Sequence, residues 1–216
     1  MKMKDLALAQ VRRGERFTLD GVEFVKLEDD MDAAFAVAAD TLPECCQFED
    51  DDAEREDHNN YAGSLLSKTV ERWLRDKHPA IFSAVVERPI DLTTMDGMTD
   101  YGKPLAVARA LTIDEFRKYR RFIPLTSKPF WTATPWTTLR SPGSNGDYAY
   151  SIGTDGTVDY DLVCNALFAP RPALYLQSSI LVSIETEDEE KVLADYTDTE
   201  LMDELYRRRR ATYDAG

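Results

Sequence analysis

The order of apolar and polar residues in the first part of the chain predicts an antiparallel β-hairpin followed by a third strand. Within the segment 15–28, Phe17 and Leu19 alternate with polar residues before the dipeptide Asp20-Gly21, and an apolar-rich segment that contains Val22, Phe24, Val25 and Leu27 follows it. An Asp-Gly pair in this setting is typical of a two-residue type I′ turn, because both turn residues need a positive φ. The apolar run 33–39 is short and continuous, and it predicts the third strand.

Two later segments have apolar residues at helical spacing. The segment 61–78 places its leucines, a valine and a tryptophan on one face, with Ser64 as a candidate N-cap and Pro79 as the residue that ends the helix. The second helix begins at Thr112, which together with Glu115 has the pattern of a capping box. These are the two main helices that the sequence predicts.

Strand-like spacing returns after Pro124, where threonine, glycine and tyrosine become frequent. The segments 148–160 and 173–184 both show β-like patterns. The earlier region 89–104 contains glycines and many polar residues, which predicts a loop or a short hairpin. We expect four residues of these elements to be buried in the core: Trp73, Leu74, Trp131 and Leu174.

The last part of the chain differs from the rest and predicts a helical appendage. We therefore divide the chain into a domain 1–186 and an appendage 187–216, which consists of an acidic linker and a short amphipathic helix. The helix has leucines one turn apart and arginines at its C-terminal end, where positive charge suits the helix dipole. The residues expected to dock this helix onto a partner, or onto another copy of the chain in a homo-oligomer, are Leu201, Leu205, Arg207 and Arg208.

Composition and charge exclude several classes of protein. The apolar fraction of 43% is that of a chain that folds. No apolar run is long enough to span a membrane, and the run 6–9 is too short for a signal-peptide core, so we expect a cytoplasmic protein without membrane contact. The net charge of −14 arises in the acidic segments 44–57 and 185–200. Direct binding of nucleic acid is not expected, because no basic stripe is present to meet phosphates.

Residues with catalytic or metal-binding chemistry are few and poorly placed. Cys45 and Cys46 are adjacent and Cys164 is distant, which gives neither a disulfide framework nor a zinc motif. His58 and His78 have no nucleophile motif beside them. The aspartates near position 155 match no calcium-loop spacing. The sequence therefore predicts a protein that is not an enzyme and that needs no metal or other cofactor.

Several landmarks in a fixed order carry a resemblance to a known family. They are Asn59-Asn60-Tyr61, Trp73-Leu74, Asp91-Leu92-Thr93-Thr94, Phe130-Trp131 and Arg171-Pro172-Ala173-Leu174. In this order they resemble an uncharacterised domain family of gut bacteria and their phages, which is similar to C-type-lectin-like folds and to sulfatase-modifying, formylglycine-generating enzymes. The resemblance covers residues 13–184. With the predicted elements, it implies an α+β fold: a C-type-lectin-like core with an N-terminal β-hairpin, two main helices and a C-terminal helical appendage.

The resemblance also bears on function. The enzymatic relatives use a pair of cysteines near the C-terminal end of the fold, whereas this region supplies only Cys164, so oxidase chemistry is not expected. What remains is a non-catalytic binding module, a phage or prophage structural or accessory protein, in the host cytoplasm or associated with the virion. The alternative is an intracellular phage-encoded inhibitor or regulator of a host protein that docks through the acidic segments or the C-terminal helix.

The segment 141–165 is the candidate binding surface. It is rich in tyrosine, glycine, serine and asparagine, the composition of antibody paratopes, in which tyrosine supplies contact area at low entropy cost. A plain hairpin with inward-pointing tyrosines is the structural alternative. The expected ligand is a protein or a glycan. The residues expected to contact it are Asn145, Asp147, Tyr148, Tyr150, Asp155 and Tyr160.

The division at residue 187 can be tested by truncation. Removal of residues 187–216 should leave the melting temperature within a few degrees, because the resemblance ends near residue 184 and the acidic linker has almost no apolar residues. The helix is too short to be stable alone, so we expect it to be stabilised by the parent domain or by another subunit, and the tether favours the second. The same truncation should reduce self-association or partner capture. A truncated chain that fails to fold, as measured by circular dichroism, would place the helix in the core instead.

Overall fold

The computed structural model describes residues 2–50 and 52–186, together with the single positions Thr199 and Met202. The chain divides into a main unit, Asp5–Ile184, and a second unit that comprises Met1–Lys4 and Glu185–Gly216. The main unit is a mixed α+β structure with mostly antiparallel sheets. In the second unit, residues 2–4 and 185–186 are strand residues, and Thr199 and Met202 are helical.

Eleven strands, three α-helices and one short 3-10 helix, Leu8–Gln10, are present in the described residues. The strands are β1 (Lys2–Ala7), β2 (Arg16–Leu19), β3 (Val22–Asp30), β4 (Ala33–Ala38), β5 (Arg88–Pro89), β6 (Leu105–Ala106), β7 (Phe130–Pro135), β8 (Tyr148–Ile152), β9 (Val158–Leu162), β10 (Ala173–Gln177) and β11 (Leu181–Thr186). The helices are α1 (Leu65–Lys77), α2 (Pro79–Ala84) and α3 (Ile113–Tyr119).

The largest sheet has the strand order β1-β11-β2-β3-β4-β10. Its centre is the predicted hairpin of β2 and β3, in which Leu19 lies opposite Val22. Asp20 and Gly21 have φ values of 51° and 74°, so the two-residue turn with positive φ is confirmed. The predicted third strand is also confirmed as β4, which pairs with β3 and with β10.

Two smaller sheets complete the β structure. β7, β8 and β9 form a three-stranded antiparallel sheet in that order, which leaves β9 at one edge. β5 and β6 pair over two residues each and close the segment 89–104 as a short hairpin. The segment 173–184 contains two strands, β10 and β11, separated by a turn.

Local signals place the helices, with one correction. Ser64 caps α1 and accepts a hydrogen bond from the Ser67 backbone N–H at 3.1 Å. Thr112 and Glu115 form the reciprocal capping box of α3. Pro79 ends α1 as expected but also begins α2, which the sequence analysis did not predict. A proline at the first helical position loses no hydrogen bond, because that N–H has no partner within the helix.

The core contains three of the four residues expected there. Leu74, Trp131 and Leu174 are buried in one cluster. Trp131 lies 5.8 Å from the ring of Phe48 in an edge-on arrangement, and its indole N–H donates to the Cys46 carbonyl at 3.1 Å. The expectation for Trp73 is wrong, because its ring is only partly buried and packs on the ring of His78 at 4.7 Å.

A buried guanidinium joins the large sheet to the three-stranded sheet. Arg171 donates to the carbonyls of Ala38 and Ala39 at the end of β4, at 3.0 Å each, and to the carbonyl of Pro124 at 3.2 Å. Its charged group also lies 5.0 Å from the ring centre of Phe130 in β7. Burial lowers the pKa of Arg171 to about 10, so the side chain still carries its charge at neutral pH.

A surface carboxylate ties α3 to β3. Glu28 accepts hydrogen bonds from Lys118 at 2.6 Å and from the hydroxyl of Tyr119. Partial burial opposes ionisation of Glu28, but these two hydrogen bonds and the charges of Lys118 and Arg13 outweigh it and lower its pKa below 4.5. The folded state therefore favours the carboxylate form.

This shift predicts how stability changes with pH. A carboxyl group whose pKa is lowered by folding contributes stability above its unfolded pKa and loses it as the pH falls through its folded pKa. Glu28→Gln should lower the free energy of unfolding at pH 7 by about 1 kcal/mol after solvent screening, or ~2–4 °C in melting temperature. The difference between the variant and the wild type should shrink as the pH falls through the lowered folded pKa of Glu28.

Thermal unfolding followed by circular dichroism between pH 7 and pH 3 measures the effect. Glu44→Gln serves as the control, because Glu44 is exposed in the loop after β4. A deficit of Glu28→Gln that stayed constant from pH 7 to pH 3 would show that the ionic hydrogen bonds are not the cause.

The burial of Trp131 predicts a large effect of its removal. Trp131→Ala should decrease the free energy of unfolding by about 3–5 kcal/mol, because a large cavity forms and the indole hydrogen bond is lost. Leu167→Ala is the control, since Leu167 is 71% exposed. Urea denaturation of both variants gives the two free energies, and equal values would contradict the assigned core.

Candidate binding surface

The three-stranded sheet carries a cluster of aromatic rings on one face. Tyr150 lies directly opposite Tyr160 in the pairing of β8 and β9, and Tyr148 is two residues from Tyr150, so the three side chains lie on one side of the sheet. Trp136, which follows β7, has its ring centre 4.0 Å from that of Tyr160 and 5.2 Å from that of Tyr150. Tyr148 meets Tyr160 edge-on at 5.7 Å. We call these four residues the aromatic face.

Solvent reaches the aromatic face most easily at β9. Tyr160 is 46% exposed, while Trp136, Tyr148 and Tyr150 are partly buried. Leu162 lies opposite Tyr148 and is also exposed. The tyrosines therefore do not all point inward as in a plain hairpin, and the face offers contiguous ring area to a ligand.

Two charged residues, Asp96 and Arg117, affect the pKa of Tyr150 through their charges. Burial raises the pKa of Tyr150, and the nearby Asp96 carboxylate adds to this effect while Arg117 opposes it. A hydrogen bond from the Thr94 hydroxyl lowers the pKa of Asp96, and Ser141 contributes a smaller effect in the same direction. Asp96 is therefore ionised at neutral pH.

A buried asparagine fixes the loop that carries Trp136. The amide group of Asn59 donates to the carbonyls of Thr137 at 2.9 Å and Tyr148 at 2.8 Å. Its oxygen accepts from the hydroxyl of Tyr101 at 2.8 Å. Burial, with a contribution from the Asp57 charge, raises the pKa of Tyr101 to about 12, so the hydroxyl keeps its proton and donates. Asn59 therefore sets where Trp136 lies relative to β8.

Two of the predicted contact residues serve the loop before β8. The side-chain oxygen of Asn145 accepts from the backbone N–H of Asp147 at 2.8 Å. The backbone N–H of Asn145 donates to the hydroxyl of Thr137 at 3.0 Å. Asp147 Oδ1 lies 3.1 Å from His58 Nδ1, and His58 Nε2 lies 3.3 Å from the Ala53 carbonyl. These contacts are with the loop and with His58, and none of them is with the aromatic rings.

Asp155 shapes the turn between β8 and β9. It accepts a hydrogen bond from the backbone N–H of Thr157 at 2.8 Å. This bond and one from the Thr157 hydroxyl lower the pKa of Asp155, with help from the charge of Arg120. The structure thus groups Tyr148, Tyr150 and Tyr160 together, while Asp155 interacts within its own turn.

The other predicted contacts lie elsewhere. Part of the acidic segment 44–57 is folded into the main unit, since Glu49 is buried, forms an ion pair with Arg55 at 3.4 Å and accepts from the Leu65 backbone N–H. Arg55 in turn contacts Asp57 at 3.2 Å. The predicted docking residues of the C-terminal helix, Leu201, Leu205, Arg207 and Arg208, lie outside the described residues.

Trp136 belongs to the aromatic face and Asn59 supports it, but neither residue was predicted as part of the binding surface from the sequence. Trp136 comes before the tyrosine-rich segment and reaches the rings only because β7 and β8 pair. Asn59 is remote in sequence from both carbonyls that it binds. The sequence around Asn59, shortly before α1, gives no indication of these hydrogen bonds. Trp136 could have been suspected, because it lies close in sequence to the tyrosine-rich segment.

No protein-family model matches the chain, and neither a curated protein nor a solved structure matches it. In the part of the chain that the structure describes, no helix is both long and apolar enough to cross a membrane. Among the same residues, no group of three or more histidine, cysteine, aspartate or glutamate side chains is placed to hold a metal ion.

Proposed function

We propose that this protein is a non-catalytic binding module and that the aromatic face takes a glycan ligand. The observation that carries the proposal is the mutually packed array of Trp136, Tyr150 and Tyr160, which is open to solvent at Tyr160. Tyrosine and tryptophan are the residues that most often dominate binding energy at recognition surfaces.

Ring geometry favours a sugar as the ligand. A pyranose has one side covered by C–H groups, and the face of an aromatic ring carries negative charge density that attracts such hydrogens. Trp136 and Tyr160 cover one face of each other with ring centres 4.0 Å apart, so the proposed sugar stacks on the solvent-exposed part of the Tyr160 ring. The charges of Asp96 and Arg117 act on Tyr150, so both groups are proposed as partners of sugar hydroxyls, and hydrogen bonds that involve an ionised group are the strong ones.

Charge narrows the class of glycan. The sheet that carries the aromatic face also carries Asp155, Asp159 and Asp161. Asp159 and Asp161 alternate with Tyr160 and lie on the other side of β9, so they act on a ligand of the aromatic face only through longer-range negative charge. That charge disfavours phosphates and acidic sugars, so the proposed ligand is a neutral glycan. The same repulsion speaks against single-stranded nucleic acid, which otherwise also stacks on aromatic rings but needs a positively charged groove.

The C-type-lectin-like fold is part of this proposal. It rests on the ordered landmarks in the sequence, and the mixed α+β architecture with antiparallel sheets agrees with it at a coarser level. The alternative ligand of the aromatic face is a protein. Binding of either a glycan or a protein is expected to depend on the ring of Tyr160.

The proposal predicts the effect of removing one exposed ring. Tyr160→Ala should weaken binding of a neutral oligosaccharide at least tenfold, because a ring at the centre of a recognition surface contributes on the order of 1–2 kcal/mol or more. Tyr160→Phe should bind within a few-fold of the wild type, since it keeps the stacking area. A neutral and acidic glycan array identifies the ligand, and isothermal titration calorimetry gives the affinities.

Both variants should retain the wild-type melting temperature within a few degrees, because Tyr160 is substantially exposed. Equal glycan affinity of Tyr160→Ala and the wild type would exclude the aromatic face as the site. Absence of any glycan ligand, together with a protein partner whose binding is lost in Tyr160→Ala and kept in Tyr160→Phe, would replace the glycan by a protein.

A further inference from the structure

The outer edge of the three-stranded sheet is formed by β9, and its backbone groups alternate in direction. Val163 donates its N–H to the carbonyl of Asp147 at 2.8 Å, which places odd-numbered residues of this strand at the hydrogen-bonded positions toward β8. Tyr160 and Leu162 lie at the intervening positions, opposite Tyr150 and Tyr148. Their N–H groups therefore point away from the sheet.

Side chains of the same strand occupy these two outward N–H groups. The carboxylate of Asp159 accepts from the N–H of Tyr160 at 2.8 Å, and that of Asp161 accepts from the N–H of Leu162 at 2.7 Å. Each carboxylate belongs to the residue directly before the N–H that it binds. Two of the donors that an additional strand would need are thus already bound.

Without these contacts β9 has the properties of a strand that pairs with other chains. An exposed edge with free N–H groups is a template for strand addition, above all where it carries apolar side chains. Val158, Tyr160 and Leu162 are each 42–46% exposed. A second copy is a suitable occupant, because antiparallel pairing centred on Tyr160 would set Val158 of one copy opposite Leu162 of the other in a closed two-fold contact.

We propose that Asp159 and Asp161 act as caps that close the edge of β9 against pairing with a second copy of this chain. The caps act by occupying the N–H groups of Tyr160 and Leu162. The carboxylates also add repulsion, since Asp159 of one copy would face Asp161 of the other, and like charges directly opposite are unfavourable. Closure of the edge is independent of the ligand that the aromatic face binds.

Two double variants separate the caps from the charge. Asp159→Ala/Asp161→Ala removes both, whereas Asp159→Asn/Asp161→Asn removes the charge but keeps a side-chain oxygen that can accept from the same N–H groups. Analytical ultracentrifugation of the full chain measures the mass. We expect the alanine variant to show twice the mass of the wild type at a concentration at which the asparagine variant keeps the wild-type mass.

A third variant assigns the association to this edge. Leu162→Pro added to the alanine variant removes an outward N–H without loss of a bond to β8, which is the position in an edge strand where proline is tolerated. It should return the mass to the wild-type value, with circular dichroism confirming that all variants are folded. An alanine variant of wild-type mass would overturn the proposal. So would an asparagine variant that associates equally, or an association that Leu162→Pro does not reverse.

Discussion

The buried guanidinium of Arg171 links the end of β4 in the large sheet to Phe130 in β7 of the sheet that carries the aromatic face. A buried positive charge is costly unless it is compensated. Here three backbone carbonyls and the ring of Phe130 supply that compensation, and the negative charge of Asp40 adds to it. The carbonyls of Ala38 and Ala39 gain a donor in return, so the loss of Arg171 would leave buried polar groups unsatisfied as well.

Strand pairing connects β7, which contains Phe130, to the tyrosines of the aromatic face. Phe130 lies in β7 and pairs with Ile152 of β8, and Tyr150 of β8 in turn pairs with Tyr160 of β9. Asn59 holds the other end of the same unit through Thr137 and Tyr148. Strand pairing and the Asn59 hydrogen bonds thus hold the rings in place before any ligand binds. A surface ordered before binding loses less conformational entropy when a ligand arrives.

The elements that sequence could predict are those whose determining contacts are local. The Asp20-Gly21 turn, the Ser64 cap and the capping box of Thr112 and Glu115 each involve residues no more than three positions apart. Residue type at a fixed spacing is sufficient information for such contacts.

Contacts between distant positions were not predictable in the same way. Lys26 reads as a polar residue in an alternating strand, yet it is fully buried and donates to the carbonyls of Leu8 and Val11. The helical spacing predicts Trp73 as a core residue, yet its side chain is only partly buried and packs on His78. In both cases the outcome depends on which chain segment covers the residue, and spacing along the sequence does not contain that information. Trp136 joined the aromatic face for the same reason.

The aspartates of β9 show why one sequence pattern allowed several interpretations. In Val158-Asp-Tyr-Asp-Leu162, alternation predicts one face of apolar side chains and one face of carboxylates. Carboxylates at this spacing suit solvent, a cation or backbone N–H groups equally well, since all three need only an acceptor oxygen. The choice is made by the partner strand: pairing with β8 turns the N–H groups of Tyr160 and Leu162 outward, within reach of the preceding side chains. The strand register therefore assigns one acceptor oxygen of each aspartate to a backbone N–H group of the edge strand.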